Sequence, residues 1–282
     1  MKLAFSAWAM REAPVDTQIE IVRHAGYVGI CLVSGPGLGL DALNVDAAER
    51  RRIRRLLDDA QLSLTAVAGH ADLLEHDDNQ RAANVARIKA TLDLAADLAG
   101  SSPPPPVVSM GYGSPDDYAD ERDALADRFG ELASYAARSG GCMALEAHVG
   151  QAFDLPEKVA WLMRSVDSPH FRFNLDNSHF EVMGCHMDDY LPLLVPYAVH
   201  TDLKDQRGRY PNHEFLVPGE GDFDYARYLG AMDAAGYAGF VTLEISVMVQ
   251  RRAGYDPAEV AQRSFATLVA AARASGVPLV YR

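Results

Sequence analysis

Cys142-Met-Ala-Leu-Glu146-Ala-His148 is a short apolar run that ends on a carboxylate and an imidazole. Outward from it the pattern returns three times, in Phe171-Arg-Phe-Asn-Leu-Asp176, Tyr197-Ala-Val-His200 and Phe240-Val-Thr-Leu-Glu244. Each reads as a buried strand closing on an acid or a histidine. The steps from Glu146 to Asp176, His200 and Glu244 are 30, 24 and 44 residues, each room for one helix and its loops. A single acid at a strand end means little. Four in register are what a closed barrel of parallel strands would gather at one mouth. Three carboxylates and one imidazole, mostly hard oxygen donors, suit one divalent ion: Mn²⁺ first, with Mg²⁺, Co²⁺ or Zn²⁺ as the other choices.

The rest of the chain continues the alternation. Strands are expected at 2–6, 28–33, 62–68, 106–110, 142–147, 171–176, 197–203 and 239–245, separated by segments with apolar residues at three- and four-residue spacing. Val85, Ile88, Leu92 and Leu98 mark one such helix, and Leu125, Phe129, Leu132 and Tyr135 another. Asp256-Pro257 fits an N-cap followed by proline at the first helical position. Eight such repeats predict a (β/α)8 TIM barrel, a single α/β domain over residues 1–282. The rival is an open doubly wound sheet, but no Gly-x-Gly-x-x-Gly follows the first strand. Gly35-Pro-Gly37-Leu-Gly39 is expected to shape a loop, and Ser101-Ser-Pro-Pro-Pro-Pro106 to be a stiff connector.

Composition narrows the classes of function. The chain has 282 residues, of which 49% are hydrophobic, and a net charge of −13. An acidic surface without a basic stripe argues against nucleic acid as a partner. The run Arg50-Arg-Arg-Ile-Arg-Arg55 falls in an expected helix and reads as a solvated face. Three scattered cysteines, Cys31, Cys142 and Cys185, offer no disulfide framework or zinc spacing and read as core residues of a cytoplasmic protein. Met1-Lys-Leu-Ala-Phe-Ser6 reads as a first strand rather than a signal peptide, and no run is long enough to span a membrane.

Further candidates cluster at the same strand ends. His148 shares the parity of Glu146, and Asp202 and Lys204 share that of His200, so all point toward the same cavity or its rim. His179 follows Asp176 by three residues, His70 follows the third strand, and Trp8 follows the first, where an aromatic ring at a barrel mouth serves either as a substrate wall or in core packing. Glu220 is expected either to cap the next helix or to meet ligand, with Asp222 the better cap. Nothing supports a Ser–His–Asp or Cys–His nucleophile or a P-loop.

With Leu145-Glu-Ala-His148, Asp176-Asn-Ser-His179, His200-Thr-Asp-Leu-Lys-Asp205, Pro218-Gly-Glu-Gly-Asp222 and Thr242-Leu-Glu244 in place, the chain resembles the sugar phosphate isomerase/epimerase superfamily, the xylose isomerase-like TIM barrels. The resemblance implies one metal on Glu146, Asp176, His200 and Glu244, substrate contact by His179, and an acid/base pair formed by Glu146 and Glu244, with His148 a competing base. The implied reaction is isomerisation or epimerisation of a sugar or sugar derivative, by proton abstraction next to a carbonyl through a metal-stabilised enediolate. Ala152 stands where such epimerases carry a further carboxylate, Gln206 where they carry an arginine, and His148 is not typical of them. These departures open an alternative: a lyase on keto-sugars, similar to inosose dehydratases or to the catalytic subunit of C-glycoside deglycosidases, which work with a smaller partner subunit. Relatives also make a homo-oligomer an expectation. Two remoter readings are an abasic-site endonuclease, whose three-zinc cluster would use His70, Glu146, Asp176, His179, His200 and Glu244, and a non-enzymatic sugar-binding protein.

Overall fold

The computed structural model describes residues 1–110 and 112–282. Short apolar runs form β1 (Lys2–Ser6), β2 (Gly29–Val33), β3 (Ser63–Ala68), β4 (Val107–Met110), β5 (Met143–Glu146), β6 (Phe171–Asp176) and β7 (Ala198–Leu203). A two-stranded excursion, β8 (Asp205–Arg209) and β9 (Asn212–Leu216), precedes β10 (Phe240–Leu243). Strands β1 to β7 and β10 close a barrel in the order β1-β10-β7-β6-β5-β4-β3-β2, with neighbouring strands parallel. The expected α/β barrel is therefore the observed one, and its strand positions agree within two residues of the sequence reading.

Alternation along each strand divides the residues into two sets. Leu145, Phe173, Leu175, Leu203, Val241 and Leu243 have no exposed surface and pack beneath the surrounding helices. The other parity carries Thr65, Asn174, His200, Asp202 and Thr242 into the barrel, where their polar groups meet one another. The helices are closed by local chemistry. Asp256 caps helix Pro257–Ser275 by accepting from the Ala258 N–H at 2.8 Å, with Pro257 in the first turn as expected. The helix Val15–Ala25 ends on Gly26 at φ 102°, where a Cβ would also come within 2.8 Å of the Phe265 ring.

The arginine run lies on helix Ala47–Ala60, as expected, with Arg50 paired to Asp97 and Arg52 to Glu49 at 2.7 Å each. Cys31 is buried, Cys142 and Cys185 are partly buried, and all three are free thiols. No helix among the described residues is long and apolar enough to cross a membrane.

The stretch after β7 is an antiparallel hairpin, β8 against β9. Its polar sequence hides it, because the hairpin is held by backbone pairing and carries an apolar side only at Phe215 and Leu216. The cap of helix Tyr225–Ala234 is Asp224, which accepts from the Arg227 N–H at 3.0 Å, and not Asp222. Glu220 is neither cap nor site residue: it pairs with Arg252 at 2.6 Å and Arg263 at 2.8 Å.

Candidate active site

The carboxyl ends of the strands deliver the acids. Glu146 ends β5, Asp176 ends β6, Asp202 is the penultimate residue of β7, and Glu244 directly follows β10. All four are buried. Glu146, Asp202 and Glu244 each offer a carboxylate oxygen within 4.8 Å of the others, and Glu146, Asp176 and His179 do the same with an imidazole nitrogen. Above them lies a cavity of about 130 Å³ bounded by Trp8, His70, Met110, His148, His179, Lys204, Phe215, Ser246 and Val247, with Glu146 and Glu244 on its floor.

His200, expected from the sequence beside Glu146, Asp176 and Glu244, is not brought into this group. Its Nδ1 is 2.9 Å from Asn174 Oδ1, and its Nε2 lies 3.1 Å from Thr242 Oγ1 and 3.3 Å from Thr65 Oγ1. Both ring nitrogens are thus occupied below the carboxylates. The cause is register. His200 stands beside Asn174, while Asp202 stands beside Asp176. The alternation His200, Asp202, Lys204 was legible as three inward positions; the level of each was not. Asn174 then gives its Nδ2 to Asp202 Oδ2 at 2.7 Å, so the histidine layer orients the acid above it.

The other candidates do gather at the cavity. Lys204 donates to Glu244 Oε1 at 2.7 Å and also to Asp176 Oδ2. The second oxygen of Asp176 accepts from the Ser178 N–H at 2.9 Å and the Ser178 hydroxyl at 2.6 Å. His179 Nε2 lies 3.4 Å from Asp176 Oδ2 and 3.8 Å from Glu146 Oε1, and His70 Nε2 lies 3.8 Å from Glu146 Oε2. The His148 ring packs on the His179 ring with centroids 3.9 Å apart, and its Nδ1 meets the Val149 carbonyl at 3.1 Å. A carbonyl oxygen only accepts, so this contact places the hydrogen on Nδ1 and leaves Nε2 its lone pair. Trp8 presents an edge to His70, with centroids 5.5 Å apart.

Phe215 and Asp205 were not singled out as site residues. Phe215 covers His179 from the hairpin, with centroids 5.2 Å apart. Asp205 faces away from the cavity and does not pair with Lys204. It accepts backbone N–H groups from Gln206 (2.9 Å), Gly219 (2.8 Å), Gly221 (3.0 Å) and Phe223 (3.2 Å), which pins the loop after the hairpin. Its position just beyond Lys204 was the only sequence signal for that role.

Burial sets the electrostatics. It raises the Glu146 carboxyl well above the usual range, with Glu244 adding to the effect, and raises Asp202 and Glu244 for the same reason. Burial alone would lower the Lys204 ammonium, but Asp176, Glu244, Glu146 and Asp202 together push it well above the ordinary lysine value. Burial lowers the imidazoles, His148 and His179 among them and His70 to about 4, so they are neutral near pH 7.

The donor set fits a divalent cation. Several carboxylates face one another against one ammonium, Asp202 Oδ1 is buried without a partner, and so are both nitrogens of His179. Buried polar atoms without partners among the described residues are what a bound ion can satisfy. Carboxylate oxygens favour Mg²⁺ or Mn²⁺ over softer ions.

The family model described as a xylose isomerase-like TIM barrel matches residues 19–271. Among curated proteins, the inosose dehydratase of Geobacillus thermodenitrificans is 28% identical over 143 residues, 44% of this chain and 47% of that one. The chain spans about half the length of the curated relatives it matches. Among solved structures, the 3-keto-D-glucoside 4-epimerase of E. coli superposes with a TM-score of 0.75 at 17% identity, covering 96% of this chain and 99% of that one. The D-psicose 3-epimerase of Clostridium cellulolyticum H10 does so with a TM-score of 0.78 at 18% identity, covering 98% of each. At such identities these structures establish the common fold and nothing finer.

Proposed function

The chain belongs to the xylose isomerase-like TIM-barrel family, and from that premise we propose that it is a divalent-metal-dependent isomerase or epimerase of a sugar or sugar derivative. One observation carries the reading: Glu146 and Glu244 line a single cavity, and each brings a carboxylate oxygen within 4.8 Å of one from Asp202. A divalent ion held by Glu146, Asp202 and Glu244, with Asp176 beside them, would supply Lewis acidity toward the oxygens of a sugar carbonyl. The protein residues do the rest. Glu146 and Glu244 would act as the acid/base pair, one taking a proton from the carbon next to the carbonyl and the other returning it. His148, neutral and with Nε2 free, competes for the role of base. His179, His70 and Lys204 line the walls as hydroxyl partners, while Trp8 and Phe215 exclude water.

A second reading is a lyase on a keto-sugar. What favours it is the similarity to inosose dehydratases among curated sequences. Dehydration begins with the same proton abstraction and differs in the loss of a hydroxyl group afterwards. The distinguishing experiment incubates the Mn²⁺-supplemented protein in D₂O with keto sugars, inososes and 3-keto-glycosides. Deuterium at one carbon beside the carbonyl of recovered sugar or its epimer is the expected result. Release of water or an aglycone would favour the lyase. Cleavage of abasic DNA at physiological salt, abolished by Asp176→Ala, would overturn both readings in favour of an endonuclease.

A further inference from the structure

Lys204 is 3% exposed and sits among the very carboxylates that would hold a metal. Its Nζ uses Oε1 of Glu244 and Oδ2 of Asp176. Asp176 has no second oxygen to offer, because Oδ1 already accepts the Ser178 N–H and hydroxyl. Glu244 belongs in turn to the group that Glu146 and Asp202 complete. The ammonium therefore stands in contact with two of the acids that gather toward a cation, while Asp202 Oδ1 remains unpartnered. Two positive centres that share the same ligand oxygens repel strongly in a buried site. Lys204 also lines the cavity, so its flexible stem has open space to move into.

We propose that Lys204 is a built-in competitor for the divalent cation. With no metal bound, its ammonium holds Asp176 and Glu244 together. Metal entry drives it off those oxygens and into the cavity, where it meets the substrate. The inference rests on the metal-site reading above and adds to it a regulation of metal uptake. By reciprocity, an anionic ligand that pairs with the displaced ammonium also tightens the metal.

The test is titration of the purified, metal-stripped full chain with Mn²⁺ by calorimetry at fixed pH. Lys204→Met and Lys204→Gln should each bind Mn²⁺ roughly tenfold or more tightly than the wild type. Lys204→Arg, which retains the charge, should not. Arg11→Met is the control for a general field: its guanidinium lies 4.5 Å from the Trp8 ring and bonds to Gln250 rather than to the carboxylates. It should change the affinity by less than about threefold. Thermal unfolding with and without Mn²⁺ provides a readout independent of folding yield, since the stabilisation by metal should be larger in the neutral variants. A wild type that binds one Mn²⁺ while Lys204→Met and Lys204→Gln bind no more tightly would overturn the competition and leave the metal site standing. Equal gains from Arg11→Met would overturn it too. Absence of binding in every variant would remove the metal site and this inference together.

Discussion

Asp202 stands beside Asp176 in the pairing of β7 with β6, while His200, two residues earlier, stands beside Asn174. One inward step along a strand thus separates a side chain at the carboxylate layer from one sealed beneath it. Asn174 links the levels, with its Oδ1 toward His200 Nδ1 at 2.9 Å and its Nδ2 toward Asp202 Oδ2 at 2.7 Å.

This relationship separates two variants. Asp202→Asn should weaken Mn²⁺ binding by roughly tenfold or more, through loss of a charged oxygen donor. His200→Ala should keep one metal per chain but cost about 2–4 kcal/mol of stability, because it leaves a cavity and strands the Asn174, Thr65 and Thr242 groups. Elemental analysis and denaturant unfolding of both proteins check this. A stable His200→Ala protein stripped of metal would restore the histidine as a ligand.

Glu146→Gln and Glu244→Gln should each lower solvent exchange of the substrate C–H by roughly 10² or more, and both should weaken metal binding. His148→Asn should leave the metal in place and lower turnover by roughly 10² if its free Nε2 is the base. An unchanged exchange rate in His148→Asn would confine that ring to packing on His179.

Phe215→Ala should open the cavity beside His179 and admit water. KM for the sugar should rise roughly tenfold, about the worth of one lost apolar contact surface. Steady-state kinetics on the substrate found in the D₂O screen measure it. An unaltered KM would mean that the hairpin does not wall the bound sugar.

Asp205→Ala removes an acceptor from four backbone N–H groups at once. It should cost about 2–4 kcal/mol and make the 217–223 loop the first site of proteolysis. Glu220→Gln breaks only part-exposed ion pairs to Arg252 and Arg263 and should cost less than about 1 kcal/mol. Limited proteolysis followed by mass spectrometry compares the two. Equal stability of both variants would show that the Asp205 contacts do not hold the loop.

Much of the architecture was legible because its signals are local. Runs such as Phe171–Asp176 alternate buried apolar residues with inward polar ones, and Asp256-Pro257 announces a helix start within two residues. The hairpin was not legible. Asp205-Gln-Arg-Gly-Arg209 has no apolar alternation, and its pairing with Asn212–Leu216 is settled by backbone hydrogen bonds. The cover that Phe215 gives His179 follows from that pairing alone.

The sequence by itself determined the eight barrel strands, which side chains on each share a face, and hence that Glu146, Asp176, Asp202, Lys204 and Glu244 all turn toward one interior. Tertiary structure decided their heights. Strand register is set between residues far apart in the chain, as between Asp176 and Asp202 or Thr242 and Asp202, and it depends on the stagger that closes the barrel. A strand's own period of two fixes direction but not level. His200 therefore read as a ligand from its motif, yet the closed barrel seals it among Asn174, Thr65 and Thr242 and sets Asp202 at the carboxylate layer in its place.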